Sequence, residues 1–156
     1  MDEMFIGIDP GASGAVCALV PATKQISFLE PPYDRDTYTK IFATQVTHNV
    51  RIIMIELVSP IRGASAGSNF KFGYNTGQIT AIAESTGIGV DLVRPKAWHK
   101  KVGMIKKGNQ IKKEVASIAH RLYPDAEIYG PRGGLLDGRS DALMIAHFAF
   151  LTYTGK

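Results

Sequence analysis

Four acidic residues stand where their type is unexpected or their spacing is suggestive. Asp9 closes the apolar run MFIGI and is followed by Pro10, Gly11 and Gly14. Glu56 lies inside a second apolar run, RIIMIEL. Asp137 and Asp141 are four apart in DGRSDALMIA, at the start of a predicted helix, so both can face one way. Carboxylates at the ends of neighbouring strands, joined by two from a helix start, converge on one edge of a sheet. Such a cluster is self-repulsive, and burial makes it worse. A hard divalent cation resolves the conflict, because Mg²⁺ takes oxygen ligands in octahedral geometry and keeps several waters. Two ions about 4 Å apart would activate a water and stabilise the leaving oxygen of a phosphodiester. Mn²⁺ accepts the same oxygen ligands.

Each acid also has a plainer explanation. Asp9 before Pro-Gly is a turn former, and so is Asp137 before Gly138. Asp141 is favoured near the positive end of a helix. Glu56 resists such treatment, since glutamate is rarely buried without a partner.

The elements that must position these acids are read from periodicity. Residues 4–9, 14–20 and 25–29 read as strands, with the turn PATK between the last two, so the three form a meander. Asp34 or Asp36 caps a helix running to about residue 48. Residues 51–57 are continuously apolar, as in a strand buried on both faces. A small, Gly/Ser-rich loop over 59–68 precedes a helix over 72–85, closed by Gly87. Residues 88–93 form a fifth strand, and 96–102 a short helix. Ile111, Val115, Ile118, Ala119 and Leu122 make a helical stripe over 110–122, with Lys112 and Lys113 off it. The last helix covers about 140–153. The predicted architecture is α/β: a five-stranded mixed sheet, strands 1–3 antiparallel, with helices on both faces.

The chain of 156 residues reads as one domain. No apolar run reaches the roughly 18–20 residues of a membrane span. The first residues carry neither a basic flank nor a small-residue cleavage site, unlike a signal peptide. Cys17, the single cysteine, lies in an apolar strand as a small core residue. These features point to a reducing, intracellular setting.

The net charge of +4 hides an uneven distribution. Eight Lys/Arg and no acid fall between Arg94 and Lys113, while the rest of the chain is net negative. Such a segment favours a polyanion, nucleic acid before an anionic membrane surface. Its plainer reading is a solvated lysine-rich surface.

GIDPG followed by GAV, then IIMIEL, then DGRSDALMIA, resembles the RuvC-type Holliday junction resolvases of the RNase H-like superfamily. VRPKAWHKKVG with its Lys-rich helix and FGYNTGQITAIAESTGI resemble further family segments, so the likeness spans most of the chain. The short form points to the bacteriophage or organellar branches. The resemblance implies an RNase H-like fold. It implies a homodimer that binds a four-way DNA junction and nicks two strands symmetrically, leaving 5′-phosphate and 3′-hydroxyl ends. It implies a cytoplasmic setting in a bacterial or phage-infected cell, or an organelle. Carried over by position, Asp9, Glu56, Asp137 and Asp141 hold two Mg²⁺ ions, with Asp9 central, and no small-molecule cofactor or membrane is involved. The DGRSD spacing fits one family variant. Lys112 matches a lysine near the scissile phosphate, with Lys113 its close competitor. Lys100, Lys101, Lys106, Lys107, Lys113 and Arg139 would hold phosphates. The family's aromatic soon after the glutamate is missing, which leaves Phe70, Phe72 or Tyr74 to stack at the crossover. Trp98 is read as an anchor for its short helix rather than a base-stacking group, and His147 as packing rather than a ligand.

Three other readings compete. An RNase H-like nuclease could instead take flaps, branched replication DNA or RNA–DNA hybrids as its substrate. An actin-like ATP-binding domain also uses a strand–Asp–Gly turn to cradle phosphates, but leaves Glu56, Asp137 and Asp141 idle. A non-catalytic junction-binding protein gains nothing from acids facing phosphates.

Overall fold

The computed structural model describes all residues, Met1–Lys156. Strands β1 (Glu3–Asp9), β2 (Ala15–Val20) and β3 (Gln25–Leu29) form an antiparallel meander. Helix α1 (Arg35–Thr47) leads to β4 (Asn49–Glu56), and α2 (Ala66–Ser85) to β5 (Val90–Val93). Then come α3 (Pro95–Lys101), a 3-10 turn at Gly108–Gln110, α4 (Ile111–Leu122) and α5 (Asp137–Thr154). The sheet order is β3-β2-β1-β4-β5, with β4 parallel to both β1 and β5. The expected five-stranded mixed sheet is therefore formed. No helix is long and apolar enough to cross a membrane.

The continuous apolarity of β1, β2 and β4 follows from burial on both faces. Phe5, Cys17, Leu19, Ile52 and Met54 point to one face, where α3, α4 and α5 supply Trp98, Val115, Ala119 and Leu143. Ile6, Ile8, Val16, Ile53 and Ile55 point to the other, where α1 and α2 supply Ile41, Ile79 and Ala83. Successive strand residues alternate between two cores, as a period of two requires. The predicted stripe of α4 is buried at Val115, Ile118 and Ala119, and Cys17 is a free, buried core residue.

Two helices begin earlier than their patterns suggest. Helix α2 starts at Ala66 rather than 72, because the Ser65 hydroxyl accepts the Ser68 amide and caps the helix. The small residues after Ser65 resemble loop composition but occupy the first helical turn. Helix α5 starts at Asp137 rather than 140, and the Ser140 hydroxyl donates back to the Asp137 carbonyl. At α1 the cap is Asp34, whose side chain accepts from the amides of Asp36 and Thr37. Strand β5 is shorter than expected, since Gly87 adopts a left-handed φ of 76° and Ile88 donates to the Thr86 hydroxyl.

Helix α5 lies on β1 with no side chain between them at Gly7. A Cβ there would sit 2.2 Å from the Ala142 carbonyl oxygen and 2.3 Å from the Ala146 nitrogen. Neither atom can yield without moving a helix backbone. We expect Gly7→Ala to destabilise the fold by about 1–3 kcal/mol or more, the cost of overpacking a rigid site. Urea denaturation checks this, and an unchanged midpoint would show that α5 can slide away from β1.

Candidate active site

The parallel pairing of β1 with β4 sets the first two acids. Ile8 is in register with Ile55, so Asp9 and Glu56 follow as neighbours at the same sheet edge. Helix α5 begins at that edge. Gly138 is packed so tightly that a Cβ would meet the Ser13 carbonyl oxygen at 2.0 Å. Gly14 is equally confined, with a Cβ position 2.0 Å from the Asp9 carbonyl oxygen. Both glycines are required by close approach of backbones. The β1–β2 turn and the start of α5 are thereby pressed together, and Asp137 and Asp141 come within electrostatic reach of Asp9.

Each carboxylate is in a different state. Asp9 Oδ1 accepts the Gly11 amide at 2.9 Å, which favours ionisation, but burial wins and raises its pKa. Glu56 is pushed up to about 7, chiefly by burial, and Asp9 adds to this while a hydrogen bond from Trp98 opposes it. Asp141 is pushed up to about 8, first by burial and then by the charges of Asp9, Glu56 and Asp137. Asp137 is the target of the Lys112 ammonium, which forms a salt bridge with it. The same ammonium lowers the pKa of Asp141 and Asp9. Lys112 is thus the cation set against Asp137, Asp141 and Asp9, while Lys113, its neighbour, is exposed and makes no ion pair.

This donor set fits a hard divalent ion. It consists of carboxylate oxygens held in partial burial, with Asp9, Glu56 and Asp137 each raising the pKa of a neighbouring acid and one ammonium against them. Asp141 has no hydrogen-bond partner, and its oxygens are not sealed from solvent. As the side chains stand, no three acids converge closely enough to grip an ion. Asp137 is drawn away to Lys112, while Glu56 is held through one oxygen by Trp98. Freeing Asp137 for an ion requires its side chain to leave Lys112.

The basic segment borders this edge. Lys100, Lys101, Lys106, Lys107 and Lys113 are exposed and none is in an ion pair. Glu114, the first acid after the segment, is committed to the loop, accepting the amides of Ile105 and Lys106 at 3.0 and 2.7 Å. A groove of about 590 Å³ runs beside α4, lined by Lys106, Gln110, Lys113, Ser117 and Arg121. Arg121 was not singled out from sequence, because it lies beyond the dense lysine run.

Arg139 does not join the free cations. It donates to Glu30 at 2.7 Å and to the Glu127 carbonyl at 2.9 Å, and lies over the Phe28 ring. Its charge is spent tying the start of α5 to the end of β3. Phe70 is 74% exposed, Tyr74 is exposed and Phe72 half-buried. Helix α2 begins on the Glu56 edge, since it runs back to the start of β5. Trp98 is buried, as its anchoring role requires, yet it also donates to Glu56, which sequence reasoning missed. His147 is half-buried and pairs with the Tyr123 hydroxyl at 2.8 Å, with no bond to the acids.

These features define an RNase H-like α/β fold carrying an acidic edge and a basic flank. Two solved structures share the fold over nearly the whole chain. One is Thermus thermophilus RuvC in complex with Holliday junction substrate, with a TM-score of 0.63 and 17% identity over 97% of this chain and 96% of that one. The other is Thermus thermophilus RuvC, with a TM-score of 0.57 and 20% identity over 97% and 96%. No family model matches the chain, and neither does any curated protein sequence.

The raised acids predict a pH dependence in EDTA. Asp141 and Glu56 bind their protons more tightly folded, at about 8 and about 7, than unfolded, where Asp and Glu titrate near 3.8 and 4.5. Their contribution is fully present below 3.8 and 4.5 and is lost progressively as pH rises from there to about 8 and about 7. We expect the melting temperature of the metal-free protein to fall over that range, and Asp141→Asn to flatten the decline. Equal slopes in the two proteins would show that Asp141 titrates normally.

Proposed function

We propose that the chain is a structure-selective, divalent-metal-dependent DNA endonuclease that resolves four-way junctions. The observation that carries this reading is the meeting, at one sheet edge, of four carboxylates and a field of unpaired lysines. Acids alone repel DNA, and lysines alone do not cut it. The solved complex of a RuvC with junction DNA, on the same fold, supports a branched-DNA substrate.

Asp9, Glu56, Asp137 and Asp141 would hold two Mg²⁺ ions, or Mn²⁺ in their place. Bound there, the ions would activate a water and neutralise charge at the leaving 3′ oxygen, giving 5′-phosphate and 3′-hydroxyl ends. Lys112 is placed to stabilise the charge that grows on the phosphoryl oxygens. Its present partner, Asp137, keeps the ammonium at the site until a phosphate competes for it. Lys100, Lys101, Lys106, Lys107 and Lys113 hold the backbone, and the groove ending at Arg121 extends their track along α4. Phe70 offers an exposed ring to an unstacked base at the crossover, with Phe72 and Tyr74 beside it. Residues 1–156 act as one nuclease domain. Symmetric incision of a two-fold junction needs two such sites, hence a homodimer.

The deciding experiment is a nicking assay on end-labelled four-way junction, flap, linear duplex and RNA–DNA hybrid, with Mg²⁺ and with EDTA. We expect paired symmetric nicks in the junction that vanish in EDTA. Preferred cleavage of flap or hybrid would keep the metal site and change the substrate. Binding of the junction with no cleavage would make this a binding protein. Asp9→Asn should reduce cleavage to background while junction binding is kept or strengthened, because a charge that repels phosphate is removed. Wild-type cleavage by that variant would overturn the ligand assignment. Lys112→Ala should lower the maximal rate by about 10²–10³-fold, as for loss of one transition-state donor, without matching loss of junction affinity in EDTA.

A further inference from the structure

Trp98 is the chain's single tryptophan and is 1% exposed, on a seven-residue helix between β5 and the basic loop. Anchoring α3 to the core accounts for the burial of its ring, which sits among Trp98's neighbours in the larger core. It does not account for where the polar end points. The indole N–H donates to Glu56 Oε2 at 2.6 Å, across a sequence separation of 42 residues. A buried indole N–H needs an acceptor. Most acceptors are carbonyls or water; here it is a carboxylate at the acidic edge, in a charge-assisted bond.

That bond has consequences for Glu56. Asp9, at the end of the neighbouring strand, repels its carboxylate, and burial disfavours its charge. The Trp98 N–H is the one protein group that counters both. It occupies Oε2 and leaves Oε1 without a protein donor. The indole cannot turn away, because its ring is locked in the core and packed edge-on against His99 at 4.0 Å. Glu56 is thereby held by a rigid donor in one orientation, with one oxygen to offer.

We propose that Trp98 is a positioning residue for metal binding: its indole N–H orients Glu56 so that Oε1 faces the ion site. This rests on the metal-dependent reading above. Hydrogen-bonded partners behind metal ligands typically change affinity by about 10–100-fold when removed. The bond also makes the only indole in the chain a reporter of its own ligand, since an ion bound to Glu56 alters the charge against the N–H.

The test uses the full-length protein and Mn²⁺ without DNA. Tryptophan fluorescence of the wild type should change saturably on Mn²⁺ titration, and the change should be lost in Glu56→Gln. Trp98→Phe keeps an aromatic ring in the core and removes the N–H. Calorimetric titration should show Mn²⁺ affinity weakened about 10–100-fold in this variant, and the Mg²⁺ concentration for half-maximal nicking raised in parallel. A purely structural tryptophan would lower the melting temperature and leave Mn²⁺ affinity unchanged, which would overturn the proposal. If Trp98→Phe does not fold, the wild-type and Glu56→Gln fluorescence titrations decide it. If the wild type takes up Mn²⁺ by calorimetry with no Glu56-dependent fluorescence change, the proposal fails alone. If the wild type binds no Mn²⁺ and nicks nothing, the metal reading falls with it.

Discussion

Direct contact between the backbones of α5 and β1 is the constraint on which the site depends. Gly7 allows it, and nothing larger fits against Ala142 and Ala146. Asp141 precedes Ala142, and Asp9 lies two residues beyond Gly7. Closing the helix onto the strand therefore carries one acid toward the other, whatever their charges prefer. Gly138 against the Ser13 carbonyl oxygen repeats the device one turn earlier and places Asp137. The acids do not gather themselves. They are pushed together by glycines and by a core that buries Leu143, Met144 and Ile145 on the same helix. Apolar burial of that size outweighs the repulsion among partly solvated carboxylates, much of which is relieved by protonation at Asp141.

What could be read in advance was the part governed by local period. Two-faced burial shows as unbroken apolarity in β1 and β4, and so the sheet and the strand-borne acids Asp9 and Glu56 were visible. The stripe of α4 fixed which way Lys112 could point, and the pair Asp137/Asp141 was visible as a one-turn spacing. The early start of α2 was hidden because capping by Ser65 is decided by one hydroxyl within a stretch of loop-like composition, and that of α5 because its N-cap, Leu136, offers no side-chain bond. The partners of Lys112, Trp98 and Arg139 were hidden for another reason. They lie 25, 42 and 109 residues away, and no periodicity reports a contact made only when separate elements meet. Arg139 shows the cost of reading charge without topology. A cation beside a candidate acid looks available for phosphate, yet here it closes the fold through Glu30 and Glu127.

On the function proposed above, the same face must attract a polyanion and hold four acids, and these demands oppose each other. The structure separates them by depth. The acids are half-buried at the strand ends and in the first turns of α5, whereas the lysines stand exposed on α3, the following loop and α4. Lys112 alone crosses between the two layers, an exposed side chain reaching down to Asp137. On the reading proposed above, ion and DNA then help each other to bind. An ion in the acidic layer cancels the charge that repels phosphate, and a phosphate above it draws Lys112 from Asp137 and supplies oxygens to the ion. Linkage makes the effect mutual: whatever factor the ion adds to DNA affinity, DNA adds to ion affinity. Such coupling explains why the acids can stand apart in the free chain without grip on an ion. A site completed only by its substrate has no need to be tight beforehand, and it holds its full charge-neutralising power for the complex in which a strand is to be cut.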